Sequence, residues 1–357
     1  MDRFYKELAS QLMGWYAQNK RDLPWRETTD AYRIWLSEII LQQTRVDQGL
    51  PYYLRFEERF PTVFDFALAD QDEVLKLWQG LGYYSRARNM QEAARMVVRD
   101  YGGEFPRDYQ KIKALKGVGD YTAAAILSFA YNLPYAVLDG NVMRVLSRLY
   151  AIDTPIDSSQ GKKKLAELAQ LHLSVDNPAC YNQAVMELGA LVCTPRSPRC
   201  GDCPLADFCA LQHSPDAIRF PVKKGKVKIT TRYFTYLVLS CGEKYLLQQR
   251  RAKDIWQGLY EFPLLETAEK VDDYALMEQL NASDLLEGSS FTLLRVSDWE
   301  RQVLSHQHIY YRFVYVKLSH FKGRNDELEE LSLTDIAKFA VAKPIEKELA
   351  RILVRDL

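Results

Sequence analysis

Two carboxylates, a glycine hairpin and four cysteines are the residues of this chain whose types and spacing can do chemistry. Glu38 stands among Ile34, Leu36, Ile39, Ile40 and Leu41, a pattern apolar nearly all round, as in a buried helix. Burial disfavours the charged form of a carboxyl group, which raises its pKa and makes it a proton donor near neutral pH. Glu38, Gln42 and Arg45 recur at four and three residues, so a helix over about Asp30 to Asp47 carries one polar stripe able to line a cleft. In Leu115-Lys116-Gly117-Val118-Gly119-Asp120-Tyr121, two glycines flank one apolar residue, and Ala123-Ala124-Ala125 marks a helix that packs closely behind the turn. Such a helix start points backbone N–H groups and the positive end of its dipole outward, the geometry that receives a phosphate oxygen. Gly117, Val118 and Gly119 would thus hold a nucleic-acid backbone without reading its sequence. Asp139 follows Gly119 by twenty residues, just before Gly140 and Asn141, where it serves either as a placed carboxylate or as the cap of a new helix.

Cys193, Cys200, Cys203 and Cys209 lie within seventeen residues in the pattern C-x6-C-x2-C-x5-C. Disulfides are disfavoured in the cytosol, so four thiolates around one centre are expected, holding either an iron–sulfur cluster or a structural zinc. Spacing alone does not separate iron from zinc. Pro195, Pro198 and Pro204 forbid continuous helix and let the loop wrap a metal. With every thiolate a ligand no coordination position stays open, which favours a structural role over a redox one. The intervening loop carries Arg196 and Arg199 and no acid, which suits phosphate contact.

These residues need a scaffold of some size, and 357 residues suffice for two domains with a core each. Lysine plus arginine and aspartate plus glutamate both total 47, so no global positive excess announces a nucleic-acid partner. No apolar run reaches the length of a membrane span, and the start lacks a secretory apolar core, which places the chain in the cytoplasm. Residues 1–212 read as all-α, with breaks at Pro24, Pro51, Pro61, Pro106 and Pro134. Residues 213–230, with two prolines and the tract Lys223 to Lys228, read as an exposed linker. Residues 231–357 read as α+β: two strands in Arg232 to Arg250 around a Cys241-Gly242 turn, a strong strand at Ile309 to Val316, and helices near 270–280 and 344–356.

The cysteine signature, downstream of the Gly117-Val118-Gly119 hairpin and Asp139, resembles the helix-hairpin-helix DNA glycosylases of the endonuclease III superfamily, over residues 1 to about 212. The resemblance implies a [4Fe-4S] cluster on the four cysteines. It also implies that the lysine which makes a lyase sits just after the hairpin, where this chain has Tyr121, a residue unable to form a Schiff base. Glu38 to Arg45, Gly80-Leu81-Gly82-Tyr83-Tyr84 and Asp139-Gly140-Asn141 resemble one branch, the MutY-type adenine DNA glycosylases. That likeness implies a monofunctional enzyme, monomeric, which flips adenine out of a duplex at an 8-oxoguanine·adenine mispair and hydrolyses its glycosidic bond. Departure of the base leaves positive charge on the sugar, so an acid and a facing carboxylate are both required. By resemblance Glu38 protonates adenine N7, Asp139 stabilises the cation or its covalent adduct, and Tyr121 and Asn141 position them. Arg26 and Gln183 would contact the flipped adenine, and Gln43, Thr44, Leu81 and Tyr83 would stand at the opened duplex.

Beyond the linker, Leu246 to Arg251 followed by Trp256 to Pro263 looks like the opening of a Nudix (MutT-like) fold, but no REXXEE helix follows Glu261. A binding module without diphosphate hydrolysis is expected. In the resembled family this domain recognises 8-oxoguanine through a Phe-Ser-His loop, matched here by Leu304, Ser305 and His306. Leucine replaces phenylalanine, and Ser305 and His306 keep hydrogen-bonding capacity for a purine edge. The fold class expected is therefore multidomain: an all-α helix-hairpin-helix glycosylase region with a cluster loop, plus an α+β Nudix-like C-terminal domain.

Overall fold

The computed structural model describes residues 3–225, 228–283, 286, 289–321 and 328–355. Residues 226 and 227 of the lysine tract lie outside them. The chain divides into two units, Met1–Leu68 with Asn89–Lys226, and Ala69–Arg88 with Val227–Leu357.

The helices of the first two-thirds of the chain are α1 (Arg3–Asn19), α2 (Ala31–Ile40), α3 (Val46–Arg59), α4 (Val63–Leu68), α5 (Gln71–Trp78), α6 (Ser85–Tyr101), α7 (Tyr109–Lys113), α8 (Asp120–Tyr131), α9 (Gly140–Leu149), α10 (Ser159–His172) and α11 (Pro178–Leu191). In the first unit α2 is the central helix. Asp30 caps it, accepting from the backbone N–H of Tyr32 at 2.7 Å, and every residue but Arg33 is buried. Its apolar circumference therefore meets protein on all sides, with α8 against it. α8 buries Thr122 to Phe129, and the three alanines keep its surface thin enough for close packing. α1, α9 and α11 complete the core around Leu12, Val145, Tyr181 and Leu188.

Two glycines are fixed by geometry. Gly117 has φ +76°, and an added Cβ would stand 2.8 Å from Asn89 Cβ, so the hairpin turn requires glycine there. Gly189 on α11 faces the start of α9, where a Cβ would lie 2.6 Å from Asn141 Cβ and 3.1 Å from Asn141 Cα. Gly119 differs: its φ is −98° and the space beside it is open.

The expected helix from Asp30 to Asp47 is corrected to two helices. α2 ends at Ile40, Leu41 closes it, Gln43 takes a left-handed φ of +55°, and α3 starts at Val46. Arg45 therefore caps the next helix and does not share the stripe of Glu38. The stretch after the cysteine loop is also less exposed than an open linker. Pro215–Arg219 forms a 3-10 turn, and its buried Ala217 accepts from Arg148 Nε at 2.8 Å.

The second unit is a mixed sheet of eight strands among the described residues: β1 (Thr230–Cys241), β2 (Lys244–Gln249), β3 (Tyr260–Glu261), β4 (Leu264–Thr267), β5 (Phe291–Val296), β6 (Glu300–Val303), β7 (Gln307–Leu318) and β8 (Leu328–Ser332). The path runs β3-β2-β1-β7-β5, and β1 and β7 are parallel from Thr230 opposite Gln307 to Ser240 opposite Lys317. β1 is buried on both faces over Phe234 to Leu239, a run apolar except for Thr235, as expected for a covered sheet. α12 (Asp273–Asn281) packs on one face, through Leu276 and Leu280. α13 (Leu333–Ile336) and α14 (Lys343–Arg355) pack on the other, through Ile336 and Ile345. The Cys241-Gly242 turn and the helices near 270–280 and 344–356 stand where expected. The segment Ala69–Arg88 is stitched to this unit: Lys76 Nζ donates to Phe339 O at 2.9 Å, Gln249 Nε2 to Asp72 Oδ1 at 3.0 Å, and Val341 N to Gln79 Oε1 at 3.2 Å.

Because a methyl at 189 collides with Asn141 Cβ at 2.6 Å and crowds its backbone at 3.1 Å, Gly189→Ala is expected to cost ~1–3 kcal/mol in urea unfolding. An unchanged midpoint would show that α9 can move away freely.

Candidate active site

In the first unit two cavities meet at one pair of carboxylates. One, of about 420 Å³, is walled by Arg26, Glu38, Tyr121, Asp139, Asn141 and Gln183. The other, of about 950 Å³, is walled by the same Glu38, Tyr121 and Asp139, with Gln42, Gln43 and the hairpin residues Gly117 and Gly119. Thr44 lines the smaller cavity, and Val118 is buried beneath the hairpin.

Glu38 is 7% exposed and receives one short hydrogen bond, from Tyr121 Oη to Oε2 at 2.5 Å. Burial, aided by the nearby Asp139 charge, pushes its pKa up to about 7; the Tyr121 bond and Arg26 pull the other way. Burial and the two carboxylates hold Tyr121 well above the ordinary phenol range, so its proton stays in place.

Asp139 divides its two oxygens. Oδ1 accepts from the backbone N–H of Val142 at 2.7 Å, capping α9, and Oδ2 accepts from Asn141 Nδ2 at 2.7 Å. Burial pushes its pKa up, while these donors and the helix start favour its charged form. Capping and an active-site position are thus not alternatives: the same residue has both geometries. Asn141 is oriented by Arg144, whose Nη2 donates to Asn141 Oδ1 at 2.8 Å and whose Nε donates to Cys193 O at 2.8 Å.

Gln183 lines the smaller cavity and is held by Tyr16, whose Oη donates to its Oε1 at 2.6 Å, so the bond engages the amide oxygen and not its N–H groups. Arg26 is held by Glu187, to which it donates twice, at 3.0 and 2.7 Å. Tyr16 and Glu187 escaped the sequence reading. Glu187 carried a usable signal: like Glu38 it is an acid on a buried helix, one turn beyond Gln183.

The remaining candidates gather in the second unit. Tyr83, with φ +47° and 42% exposure, bonds through its Oη to Ser305 Oγ at 2.5 Å, across 222 residues of sequence. Both line a cavity of about 420 Å³ with His306, Leu304 and Trp256, whose φ is +59°. Ser305 and His306 are exposed in the turn between β6 and β7, and Leu304 packs on the core beneath. Leu81 is buried, at 7% exposure. Non-glycine residues with left-handed φ are costly, and here Gln43, Tyr83 and Trp256 all sit in exposed or half-buried loops beside cavities.

Cys193, Cys200, Cys203 and Cys209 line one small cavity, and none is in a disulfide. Burial, with the other thiols adding to it, pushes Cys203 up to about 11, so four thiolates coexist there only around positive charge. The four thiols thus stand at one place in the fold, which is what a single metal centre held by this loop requires. Arg148 braces the loop, donating to Thr194 O at 2.7 Å and Pro195 O at 2.8 Å.

Comparison with known proteins agrees with this arrangement. Residues 36–171 match the family model of HhH-GPD superfamily base excision DNA repair proteins, residues 193–209 the iron-sulfur binding domain of endonuclease III, and residues 235–351 the NUDIX domain. A solved thermostable thymine-DNA glycosylase is similar over 58% of this chain and 98% of its own, with 30% identity and a TM-score of 0.54. The fold and the site thus define a helix-hairpin-helix DNA glycosylase with a [4Fe-4S] cluster on its four cysteines. The adenine DNA glycosylase of Buchnera aphidicola subsp. Acyrthosiphon pisum is 31% identical over 346 residues, 96% of this chain and 97% of that one. The enzyme of that name from Buchnera aphidicola subsp. Schizaphis graminum is 33% identical, over 76% of this chain and 78% of its own, and the human one 37% identical, over 75% and 60%. The chain belongs to the adenine DNA glycosylases, enzymes of base excision repair that hydrolyse an N-glycosidic bond.

Asparagine caps a helix about as well as aspartate, so Asp139→Asn, which keeps the cap and disturbs only the bond from Asn141, is expected to change the unfolding free energy by no more than ~1 kcal/mol while adenine excision is lost. A large fall in stability with retained activity would reverse that assignment. Iron and labile sulfide in equal amounts, with brown visible absorbance that Cys203→Ser weakens, check the cluster; a colourless, zinc-loaded protein from anaerobic preparation would contradict it.

Proposed function

We propose that this enzyme removes adenine paired with 8-oxoguanine in duplex DNA, as a monomer and without strand cleavage of its own. The observation that carries the chemistry is the buried Glu38 carboxyl, hydrogen-bonded by Tyr121 and raised to about 7, in the wall that also presents Asp139. The flipped adenine enters the smaller cavity, where Arg26 and Gln183 meet its polar edge and Glu38 donates its proton to N7. Electrons of the C1′–N9 bond leave with the protonated base. The sugar becomes oxocarbenium-like, and the Asp139 carboxylate, fixed by Asn141 and Val142, faces that charge. Water adds at C1′ and loses a proton to the Glu38 carboxylate, which restores the acid and completes hydrolysis.

Tyr121 occupies the place of a lyase lysine and is itself bonded to Glu38, so no amine stands there to form a Schiff base. The hairpin N–H groups at the start of α8, where no side chain caps Gly119 and the space is open, take a DNA phosphate. Gln43 and Thr44, and Tyr83 with Leu81 behind it, serve the opened duplex. Ser305 and His306 read 8-oxoguanine from their exposed turn, with Leu304 anchoring the turn to the core below.

Duplexes carrying 8-oxoguanine·adenine, thymine glycol·adenine or undamaged pairs discriminate this reading when analysed with and without alkali. Cleavage confined to the adenine strand of the first duplex, and dependent on alkali, is expected; strand scission without alkali would indicate a lyase. The single-turnover rate should fall as pH rises through about 7, because the acid must carry its proton. Glu38→Gln should lower that rate by ~10² or more while mismatch binding persists.

A further inference from the structure

Glu187 is fully buried on α11, and both its oxygens are taken by guanidinium groups. Arg26 donates Nη1 to Oε1 at 3.0 Å and Nη2 to Oε2 at 2.7 Å. Arg21 donates Nε to Oε1 at 2.9 Å and Nη2 to Oε2 at 2.7 Å, and its backbone N–H adds a third bond at 2.9 Å. The Arg26 side chain is only 9% exposed and shares the wall of the adenine cavity with Glu38.

We propose that Glu187 is a positioning residue of adenine excision: it fixes the Arg26 guanidinium at the wall of the cavity that Glu38 also lines, and offsets part of its charge there. The inference rests on Glu38 being the acid.

The charged and titratable groups facing Glu38 are Tyr121 from α8, Asp139 ahead of α9, and Arg26. Those facing Glu187 are Arg21, Arg26 and Tyr16 from α1, with Asp47 acting on Arg21. Arg26 is thus the cation in both sets. A guanidinium in a water-poor cavity exerts a strong field, and the Glu187 carboxylate at 2.7 Å, though shared with Arg21, offsets part of it. Without that carboxylate the field of Arg26 would favour ionised Glu38, the form that cannot donate. The fork also sets orientation: two parallel bonds hold the guanidinium plane, and a single bond would let it turn away from the purine edge.

The test is the pH dependence of single-turnover adenine excision by the full chain with its cluster. Wild type should lose rate as pH rises through about 7. Glu187→Gln is expected to show the same loss about one pH unit lower, with a several-fold higher half-saturating DNA concentration. Glu187→Asp keeps the charge and shortens the reach, so its loss of rate should stay at the wild-type pH while half-saturation rises. In Arg26→Gln/Glu187→Gln the Arg26 charge and its carboxylate are both gone and Arg21 alone remains, so the profile should move back toward the wild-type position; should Glu187→Gln fail to fold, Glu187→Asp carries the test. A profile that does not move in Glu187→Gln, moves equally in Glu187→Asp, or stays as far displaced in the double variant overturns the role of Glu187. A wild-type rate that does not fall over this range refutes Glu38 as the acid, and the inference with it.

Discussion

A carboxyl group kept out of water, with one phenol as its near partner, is the constraint around which the first unit is arranged. Glu38 is tolerable inside α2 because its side chain reaches a cavity and Tyr121 donates to it. That bond exists because α8 lies close against α2, which its alanines permit, and because the hairpin at Gly117 starts α8 just before Tyr121. Asp139 reaches the same cavity by capping α9, and Gly189 lets α9 approach α11 closely enough for Asn141 to hold the second oxygen. Each helix that frames the site thus has a local reason, in a cap, a glycine or a small face, to stand where it does.

The second unit shows the same economy with a different outcome. Its sheet has the strands and helices of a Nudix-like domain, and Glu261 at the end of β3 is buried and paired to Arg250 at 2.9 Å. What the unit presents is the Tyr83–Ser305 pair above a cavity, built from a loop of the early sequence and a turn of the late one. Loops with left-handed residues, such as those at Tyr83 and Trp256, are where binding residues accumulate on an otherwise rigid scaffold.

Much of this was legible in the order of residues. The acid among apolar neighbours, the glycine hairpin and the cysteine spacing are local patterns, and local patterns survive in sequence. So are the long strands of the second unit, where apolar runs bounded by turn residues have few alternatives. The break after Leu41 was not legible, since nothing in Gln42-Gln43-Thr44 forbids helix and the left-handed turn at Gln43 is imposed from outside. Nor was Glu187, because an acid on an apolar helix announces burial but not its partners.

By itself, then, the sequence determined the kinds of chemistry present: a carboxyl whose neighbours would exclude water, a second placed before a helix, a glycine turn that opens a helix, and four thiols spaced to hold one metal centre. Only the tertiary structure decided which groups face one another. Glu38 with Tyr121, Arg26 with Glu187, and Tyr83 with Ser305 are pairs 83, 161 and 222 residues apart. Such pairings depend on how helices and strands pack, and the free energy of packing is a property of the whole core, written in no single stretch of the chain.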